Sequence, residues 1–170
     1  WACQPRTTPI FIPVDLKYER CYNISNVKFW RINVRYKMFA YGMNTNLDQM
    51  AARCPGAVCL GPAWIMDYAL VFRHFADIEP AVGNWCDGVL WEITEDNLVA
   101  LDALEGYPYH YTRFSVVVHT ERGSDTALVY QMVDQSFEES PSNHYYNMVA
   151  EGYVQNSVPV DQLIATMELS

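Results

Sequence analysis

The feature that most constrains this chain is a sharp change of charge at residue 38. The first 37 residues hold seven basic and two acidic side chains, whereas residues 38–170 hold four basic and 18 acidic side chains. No lysine follows Lys37. Such a break predicts a boundary, with a basic N-terminal extension at 1–37 and one folded domain at 38–170.

Two interpretations of the extension stay open. Met38 stands at the boundary, immediately before a strand-like run, so residues 1–37 could be an upstream addition to a domain that starts at Met38. Alternatively, the extension is a native basic arm that packs on the domain through short strands, since β-branched and aromatic residues recur in it. The first interpretation is favoured because charge and composition change at the same point.

Length and composition predict one globular domain. The chain has 170 residues, of which 51% are hydrophobic and 18% charged, and this length is enough to bury a core. No apolar run approaches the roughly 20 residues that span a bilayer. The acidic body is a poor match for nucleic acid, whose phosphates need clustered Lys and Arg. We therefore expect neither a nucleic-acid partner nor a membrane partner, and the oligomeric state is not indicated.

The five cysteines predict a reducing compartment. Their number is odd, their spacing is irregular and no Cys-x-x-Cys pair occurs, which argues against a disulfide framework and against a zinc site. The four histidines also lack the spacing of metal ligands. The first residues do not have the apolar segment of a signal peptide. We expect a cytoplasmic protein with ordinary thiols and no metal.

The hydrophobic pattern predicts strands interrupted and followed by helices. Asn46 and Thr94 can each cap a helix. We expect an α+β fold with a closed or nearly closed mixed sheet, since closure removes exposed edges. The other expected segments are strands at 36–41, 62–75, 84–93, 113–119 and 126–133, and helices at about 141–152 and 159–169.

The loop between the first strand and the first helix of the domain is one candidate site. Tyr41 ends the strand, and Gly42 permits a tight turn before the helix starts at Asn46. Successive N–H groups from Gly42 to Asn46 would form a nest for an anion at a helix N-terminus. A plain turn that binds nothing is the alternative, because glycine serves turns generally.

Glu105 is the second candidate. It lies in the last turn of a predicted helix that ends at Gly106, where the negative end of the helix dipole disfavours a carboxylate. Neighbouring leucine and tyrosine side chains would raise its pKa further, and such a group can take and return a proton near neutral pH. The alternative is a surface glutamate. Asp102, one turn earlier, is expected to be exposed.

Four short motifs occur in order along the chain. They are Phe39–Asn44, Gly88–Trp91, Leu101–Tyr107, and Pro141-Ser142-x-x-Tyr145 with Gly152. Together they resemble the gamma-glutamylcyclotransferase family, also called AIG2-like. The resemblance covers about residues 38–157 and does not include residues 1–37.

The resemblance implies a fold and a set of site residues. The fold would be a small mixed β-barrel with flanking helices, and Glu105 would be the catalytic acid–base. Met43 stands where the family usually has serine, but a nest of main-chain N–H groups survives that change. The residues that would bind the substrate are Tyr41, Gly42, Met43, Asn44, Tyr111 and Tyr145.

The resemblance also implies a reaction. The α-amine of a γ-glutamyl group attacks its own γ-carbonyl, which gives 5-oxoproline and releases an amine or amino acid. Attack within one molecule needs little beyond the right rotamer, and neither a metal nor an organic cofactor is implied. Two other interpretations stay open: a non-catalytic protein of the same fold that binds a small anion, and an interaction module that uses the acidic face.

Overall fold

The computed structural model describes residues 15–20 and 30–169. Within them, strands and helices alternate in a mixed order. The strands are β1 Asp15–Arg20, β2 Trp30–Ala40, β3 Val58–Arg73, β4 Phe75–Thr94, β5 Tyr111–Thr120 and β6 Gly123–Met132. The helices are α1 Leu47–Arg53, α2 Glu95–Glu105, α3 Asn143–Gln155 and α4 Asp161–Leu169, and a 3-10 turn spans Met43–Thr45.

The six described strands form one sheet, in the order β1-β2-β4-β3-β5-β6. All neighbours in that order are antiparallel. Strand β2 pairs again with β6, in parallel, where Met38 lies opposite Leu128. The five strands from β2 to β6 therefore form a ring, which leaves fewer free edges than a flat sheet. The predicted α+β fold with flanking helices is confirmed.

Strand β2 crosses the predicted domain boundary. Its residues from Arg35 to Ala40 pair with β4, so three pairs precede Met38. Lys37 also forms an ion pair with Asp125 on β6. Residues on both sides of Met38 thus belong to one strand. That residues 1–37 are an extension separate from the domain stays a prediction, and residues 1–14 and 21–29 lie outside the described part of the chain.

A polar cap fixes the start of α1. Asn46 Oδ1 accepts the N–H groups of Asp48 and Gln49 at 3.1 and 3.2 Å, which satisfies two donors that have no partner inside the helix. The helix therefore begins where the sequence predicted. This cap holds the preceding 3-10 turn between the end of β2 and the first turn of α1.

Both ends of α2 are also set by local chemistry. Thr94 Oγ1 accepts the N–H of Asn97 at 3.1 Å and starts the helix. Gly106 ends it at φ 65°, a left-handed conformation that side chains other than glycine rarely adopt. A Cβ at Gly106 would also lie 2.6 Å from His110 Cδ2. Glu105 is therefore the last residue of α2, as predicted.

Helix α3 packs directly on the 3-10 turn. A Cβ on Gly152 would lie 2.4 Å from Thr45 Oγ1, so only glycine permits this approach. Asn156 donates Nδ2 to the carbonyl oxygens of Thr45 and Gly152 at 2.8 and 2.7 Å. Tyr153 is buried and donates its hydroxyl to the carbonyl oxygen of Tyr41 at 2.8 Å. These contacts hold the turn from one side.

The described residues include three free thiols. Cys54 and Cys86 are buried and Cys59 is exposed, while Cys3 and Cys21 lie outside the described part of the chain. In the same described part, no three His, Cys, Asp or Glu side chains are grouped so that they could hold a metal ion. Nor is any helix there long and apolar enough to cross a membrane.

Candidate active site

A cavity of about 310 Å³ lies at the end of β2. Its wall combines the end of that strand, the 3-10 turn, the last turn of α2, and side chains from β4, β5, β6 and α3. The structure brings all seven predicted site residues to this one wall: Tyr41, Gly42, Met43, Asn44, Glu105, Tyr111 and Tyr145.

Gly42 is needed because the surrounding residues leave no space for a side chain at this position. Its φ of −117° and ψ of −137° lie outside the left-handed region that favours glycine. A Cβ there would lie 2.9 Å from Ala76 Cβ and 3.2 Å from the hydroxyl oxygen of Tyr145. The glycine thus permits β4 and α3 to approach the turn closely, which differs from the conformational freedom that the sequence suggested.

The turn holds fewer open N–H groups than predicted. Thr45 N–H donates to Gly42 O at 2.9 Å, and Asn46 N–H donates to Met43 O at 3.1 Å. Those two donors are therefore committed within the turn. The candidate nest narrows to the amides of Met43 and Asn44, since the first N–H groups of a helical turn have no acceptor inside it.

Glu105 is half-buried, and its carboxylate contacts the 3-10 turn through Asn44. Asn44 donates Nδ2 to Glu105 Oε1 at 3.0 Å. Burial raises the pKa of Glu105 above its ordinary value, whereas the Asn44 hydrogen bond and the charge of Arg53 lower the pKa by less. The direction agrees with the sequence prediction. A carboxyl group with a raised pKa is suited to exchange a proton near neutral pH.

Arg53, the last residue of α1, extends this hydrogen-bonded chain. Its Nη1 donates to Asn44 Oδ1 at 2.8 Å. A guanidinium can only donate, so Asn44 turns its oxygen to Arg53 and its nitrogen to Glu105. Sequence reasoning missed Arg53. The sequence did offer one signal for Arg53: it is one of only four Lys or Arg residues after Lys37, so each of them is a candidate for a specific role.

Among the described residues, the Tyr145 hydroxyl accepts a hydrogen bond and donates none. Its oxygen accepts the N–H of Ala76 at 3.0 Å. The hydroxyl proton is therefore left for an acceptor in the cavity. Burial raises the pKa of Tyr145 to about 12, so this hydroxyl stays protonated at neutral pH.

Tyr41 and Tyr111 direct their hydroxyls at the protein backbone. Tyr41 donates to Tyr130 O at 2.8 Å, and Tyr111 makes a longer contact of 3.4 Å with Ala76 O. Burial is the main cause that raises the pKa of both tyrosines above the ordinary value. Both rings therefore line the cavity as neutral groups, and the donor of Tyr41 is already used.

Asp102 is not the exposed residue that was expected. Its side chain is 21% exposed and accepts hydrogen bonds from Arg113 Nε at 2.8 Å and the Tyr130 hydroxyl at 2.7 Å. The physical reason is helical spacing, since Asp102 follows buried Leu98 by four residues and shares its face. Asp102 thus ties α2 to β5 and β6 beside the site.

Comparison with known proteins points to one family. A profile of the family described as "Gamma-glutamyl cyclotransferase, AIG2-like" matches residues 38–152, more than half of the chain. A gamma-glutamylcyclotransferase of Bos taurus is 29% identical over 137 residues, which is 72% of each chain. The protein of the same name from Homo sapiens is 26% identical over 136 residues, again 72% of each chain.

Solved structures extend the comparison to the fold. A gamma-glutamyl cyclotransferase structure matches with a TM-score of 0.69 at 26% identity and covers 78% of this chain and 86% of that chain. A Bacillus subtilis protein matches with the same TM-score at 20% identity, over 79% of this chain and 54% of its own. At that identity the second match shows the fold alone.

Proposed function

The chain belongs to the gamma-glutamyl cyclotransferase, AIG2-like family, and we propose that it converts a γ-glutamyl compound into 5-oxoproline and a free amine or amino acid. The observation that carries the proposal is the hydrogen bond between Asn44 and Glu105 inside the cavity. This bond holds one carboxylate oxygen of an acid–base candidate beside the turn at the end of β2.

Two sets of donors suit the α-carboxylate of a γ-glutamyl group. The amides of Met43 and Asn44 lie at the start of the 3-10 turn, and the Tyr145 hydroxyl has a proton to give. All three line the same cavity. A carboxylate bound there is held by charge-assisted hydrogen bonds, and the rest of the γ-glutamyl chain is directed towards Glu105.

Glu105 then serves as the base and afterwards as the acid. Asn44 occupies Oε1, so Oε2 is available to take a proton from the α-amine as its nitrogen attacks the γ-carbonyl carbon. The new bond joins that nitrogen to the γ-carbon and closes the ring. Glu105 returns the proton to the leaving nitrogen, and the original amide bond breaks. The two products together contain all the atoms of the substrate.

Holding the substrate in a folded rotamer supplies much of the rate. Attack within one molecule can reach a very high effective concentration when the reacting atoms are held about 3–3.5 Å apart. Tyr41 and Tyr111 border the same cavity with neutral rings, and these rings restrict the space in which the glutamyl chain can extend. A confined cavity therefore favours the geometry that closes the ring.

The test is release of 5-oxoproline from a panel of γ-glutamyl amides and γ-glutamyl amino acids. We expect turnover of at least one class without added cofactor. A compound that binds but is not converted would favour the non-catalytic pocket protein instead. A protein partner that binds equally well to wild-type protein and to a Glu105→Gln variant would favour the interaction module.

A cytoplasmic location is part of the same proposal. Cys54, Cys59 and Cys86 are free thiols, and free thiols are typical of reducing compartments. Fractionation of cells that make the full chain tests this location. Recovery of the protein in a secreted or vesicular fraction would contradict it.

A further inference from the structure

A second hollow, of about 630 Å³, lies beside the cavity. Four residues line both spaces: Phe75, Leu104, Glu105 and Tyr111. Glu105 therefore borders both. A molecule whose γ-glutamyl end fills the first cavity can continue past Glu105 into the second hollow. We call this second hollow the exit groove.

The exit groove exposes large apolar side chains from separate parts of the chain. The exposed fractions are 52% for Phe75, 53% for Leu104, 84% for Tyr109, 54% for Val133 and 40% for Phe137. They come from the start of β4, the end of α2, the segment before β5 and the segment after β6. Exposed apolar side chains that converge on one patch are typical of a binding surface.

The strongest cation of the groove is already neutralised. Arg73 is 2% exposed, and its guanidinium donates to Asp77 and Glu79 at 2.8 Å each. Asp77 is itself fully buried. One guanidinium thus pairs with two carboxylates, so its positive charge is already balanced and does not attract a ligand anion.

The remaining charged groups of the wall disfavour an anion. His74 pairs with Glu139 at 3.0 Å. That leaves His110 as the other basic side chain of the described wall, against the carboxylates of Glu105 and Asp134. A ligand carboxylate in the exit groove would therefore meet like charge, and the one guanidinium of the described wall, that of Arg73, is already paired with two carboxylates.

We infer that the exit groove binds the leaving amine, and that this amine is uncharged apart from its reacting nitrogen and bears an aromatic or branched alkyl group. The inference rests on the proposed function, because it assigns the part of the substrate beyond the scissile amide. That amide bond breaks, its nitrogen takes the proton from Glu105, and an apolar primary amine departs through the groove.

Three compounds separate the contribution of an aromatic ring on the leaving amine from the contribution of a carboxylate. γ-Glutamyl-phenethylamide and γ-glutamyl-phenylalanine differ only by one carboxylate, and γ-glutamyl-ethylamide lacks the ring. We expect kcat/KM to be at least tenfold higher for the phenethylamide than for either of the others. Relative to the ethylamide, each buried methylene-sized group of the ring raises kcat/KM roughly fourfold. Relative to the phenylalanine compound, the phenethylamide lacks the carboxylate that the groove disfavours. 5-Oxoproline release measures all three.

A matched pair of variants locates the preference. Val133→Ser, in the groove, should reduce the ratio of kcat/KM for phenethylamide over ethylamide by roughly fourfold. Val117→Ser, on β5, replaces a valine of similar exposure, 58%, that lines neither hollow, and should leave the ratio unchanged. Equal effects of the two variants would overturn the assignment of the groove.

The outcomes distinguish the inference from the proposed function. If the phenylalanine or ethylamide compound is converted as well as the phenethylamide, the inference is wrong while the cyclotransferase activity stands. If none of the three yields 5-oxoproline but another γ-glutamyl compound of the panel does, the inference is wrong and the activity stands. If no compound of the panel yields 5-oxoproline, the proposed function fails and the inference falls with it.

Discussion

The cavity and the exit groove meet at Glu105 and differ in how their polar groups are held. In the cavity, polar atoms have assigned partners: Asn44 bonds to Arg53 at one end and to Glu105 at the other, and Tyr145 accepts the N–H of Ala76. In the exit groove, the wall is formed mainly by exposed apolar side chains such as Tyr109 and Val133.

This difference separates the reaction from the choice of substrate. Hydrogen bonds fix direction, so the cavity can hold one chemical group in one orientation. Apolar contact is roughly proportional to area and has little direction, so the groove can sort leaving groups by size and charge. Changes in the cavity should therefore lower the turnover of every substrate alike, whereas changes in the groove should alter the order of substrates.

Replacing Glu105 should have the largest effect. Glu105→Gln keeps the size and a hydrogen-bond acceptor for Asn44 but cannot exchange a proton at neutral pH. We expect kcat to fall by roughly 10²–10⁴ for all substrates, the usual range for loss of a general acid–base. Glu121→Gln in the exposed β5–β6 turn is the matched control. Wild-type turnover by Glu105→Gln would remove Glu105 from the mechanism.

The same substitution makes a prediction about stability and pH. Burial raises the pKa of Glu105 in the folded chain, so the ionised carboxylate is disfavoured there relative to the unfolded chain. That cost is absent below the ordinary glutamate pKa and is fully present above the raised pKa. Thermal melts should therefore show Glu105→Gln at least as stable as wild type near pH 7–8, with the difference vanishing towards pH 4.

Filling the space at Gly42 should have the next largest effect. Gly42→Val places new carbon atoms against Ala76 and the Tyr145 hydroxyl, which lie 2.9 and 3.2 Å from the first added atom. We expect a loss of about 1–3 kcal/mol in stability, typical of overpacking, and weaker substrate binding. Gly42→Ala should give an intermediate result in thermal melts and in KM. Equal stability of all three proteins would contradict the steric account.

Removing the charge of Arg53 should have a smaller effect that depends on pH. In Arg53→Met, Asn44 loses the donor that orients it, and Glu105 loses a charge that lowers its pKa. The acid limb of kcat/KM should shift to higher pH, because Glu105 must be ionised to act as a base. The pH profile is the measurement, with Arg122→Met in the exposed turn as control.

Arg53→Lys separates the two roles of this residue. Lysine keeps the positive charge but lacks the planar guanidinium that fixes the Asn44 amide. It should restore the acid limb towards its wild-type position while leaving part of the loss in kcat. An unchanged acid limb in Arg53→Met would show that the charge does not reach Glu105.

Local signals in the sequence were enough to predict the helices that carry the site. Asn46 and Thr94 are N-caps and Gly106 is a left-handed stop, as expected, because capping depends on a few neighbouring residues. This placed Glu105 at the end of α2. The strand–glycine–helix pattern indicated the turn after Tyr41, and the resemblance to a family then added Tyr111 and Tyr145. The structure brings these residues into one cavity.

Features that depend on tertiary contacts were not predictable in this way. The role of Arg53 requires α1 to pack beside the turn, and the burial of Asp102 requires β5 and β6 to cover α2. The exit groove joins four segments that are distant in sequence. Strand β4 was also underestimated. The predicted strand began at 84, whereas β4 runs over Phe75–Thr94, because Asp77, Glu79, Pro80 and Gly83 are weak strand formers.

The smallest effect is expected at Met43, and it tests what the turn contributes. Met43 lines the cavity, yet the proposed contact with the substrate carboxylate uses its main-chain N–H, which any residue except proline retains. Met43→Ser should therefore change KM by no more than about threefold for every γ-glutamyl compound, in line with a difference below ~1 kcal/mol. Asn44→Ala is the contrasting variant, because it keeps the adjacent amide but removes the side chain that holds Glu105. It should lower kcat while Met43→Ser does not. If Met43→Ser abolishes binding, the methionine side chain itself contacts the substrate. The cavity would then bind its substrate through side-chain contact, as the groove is proposed to do, and the contrast between the two hollows would weaken.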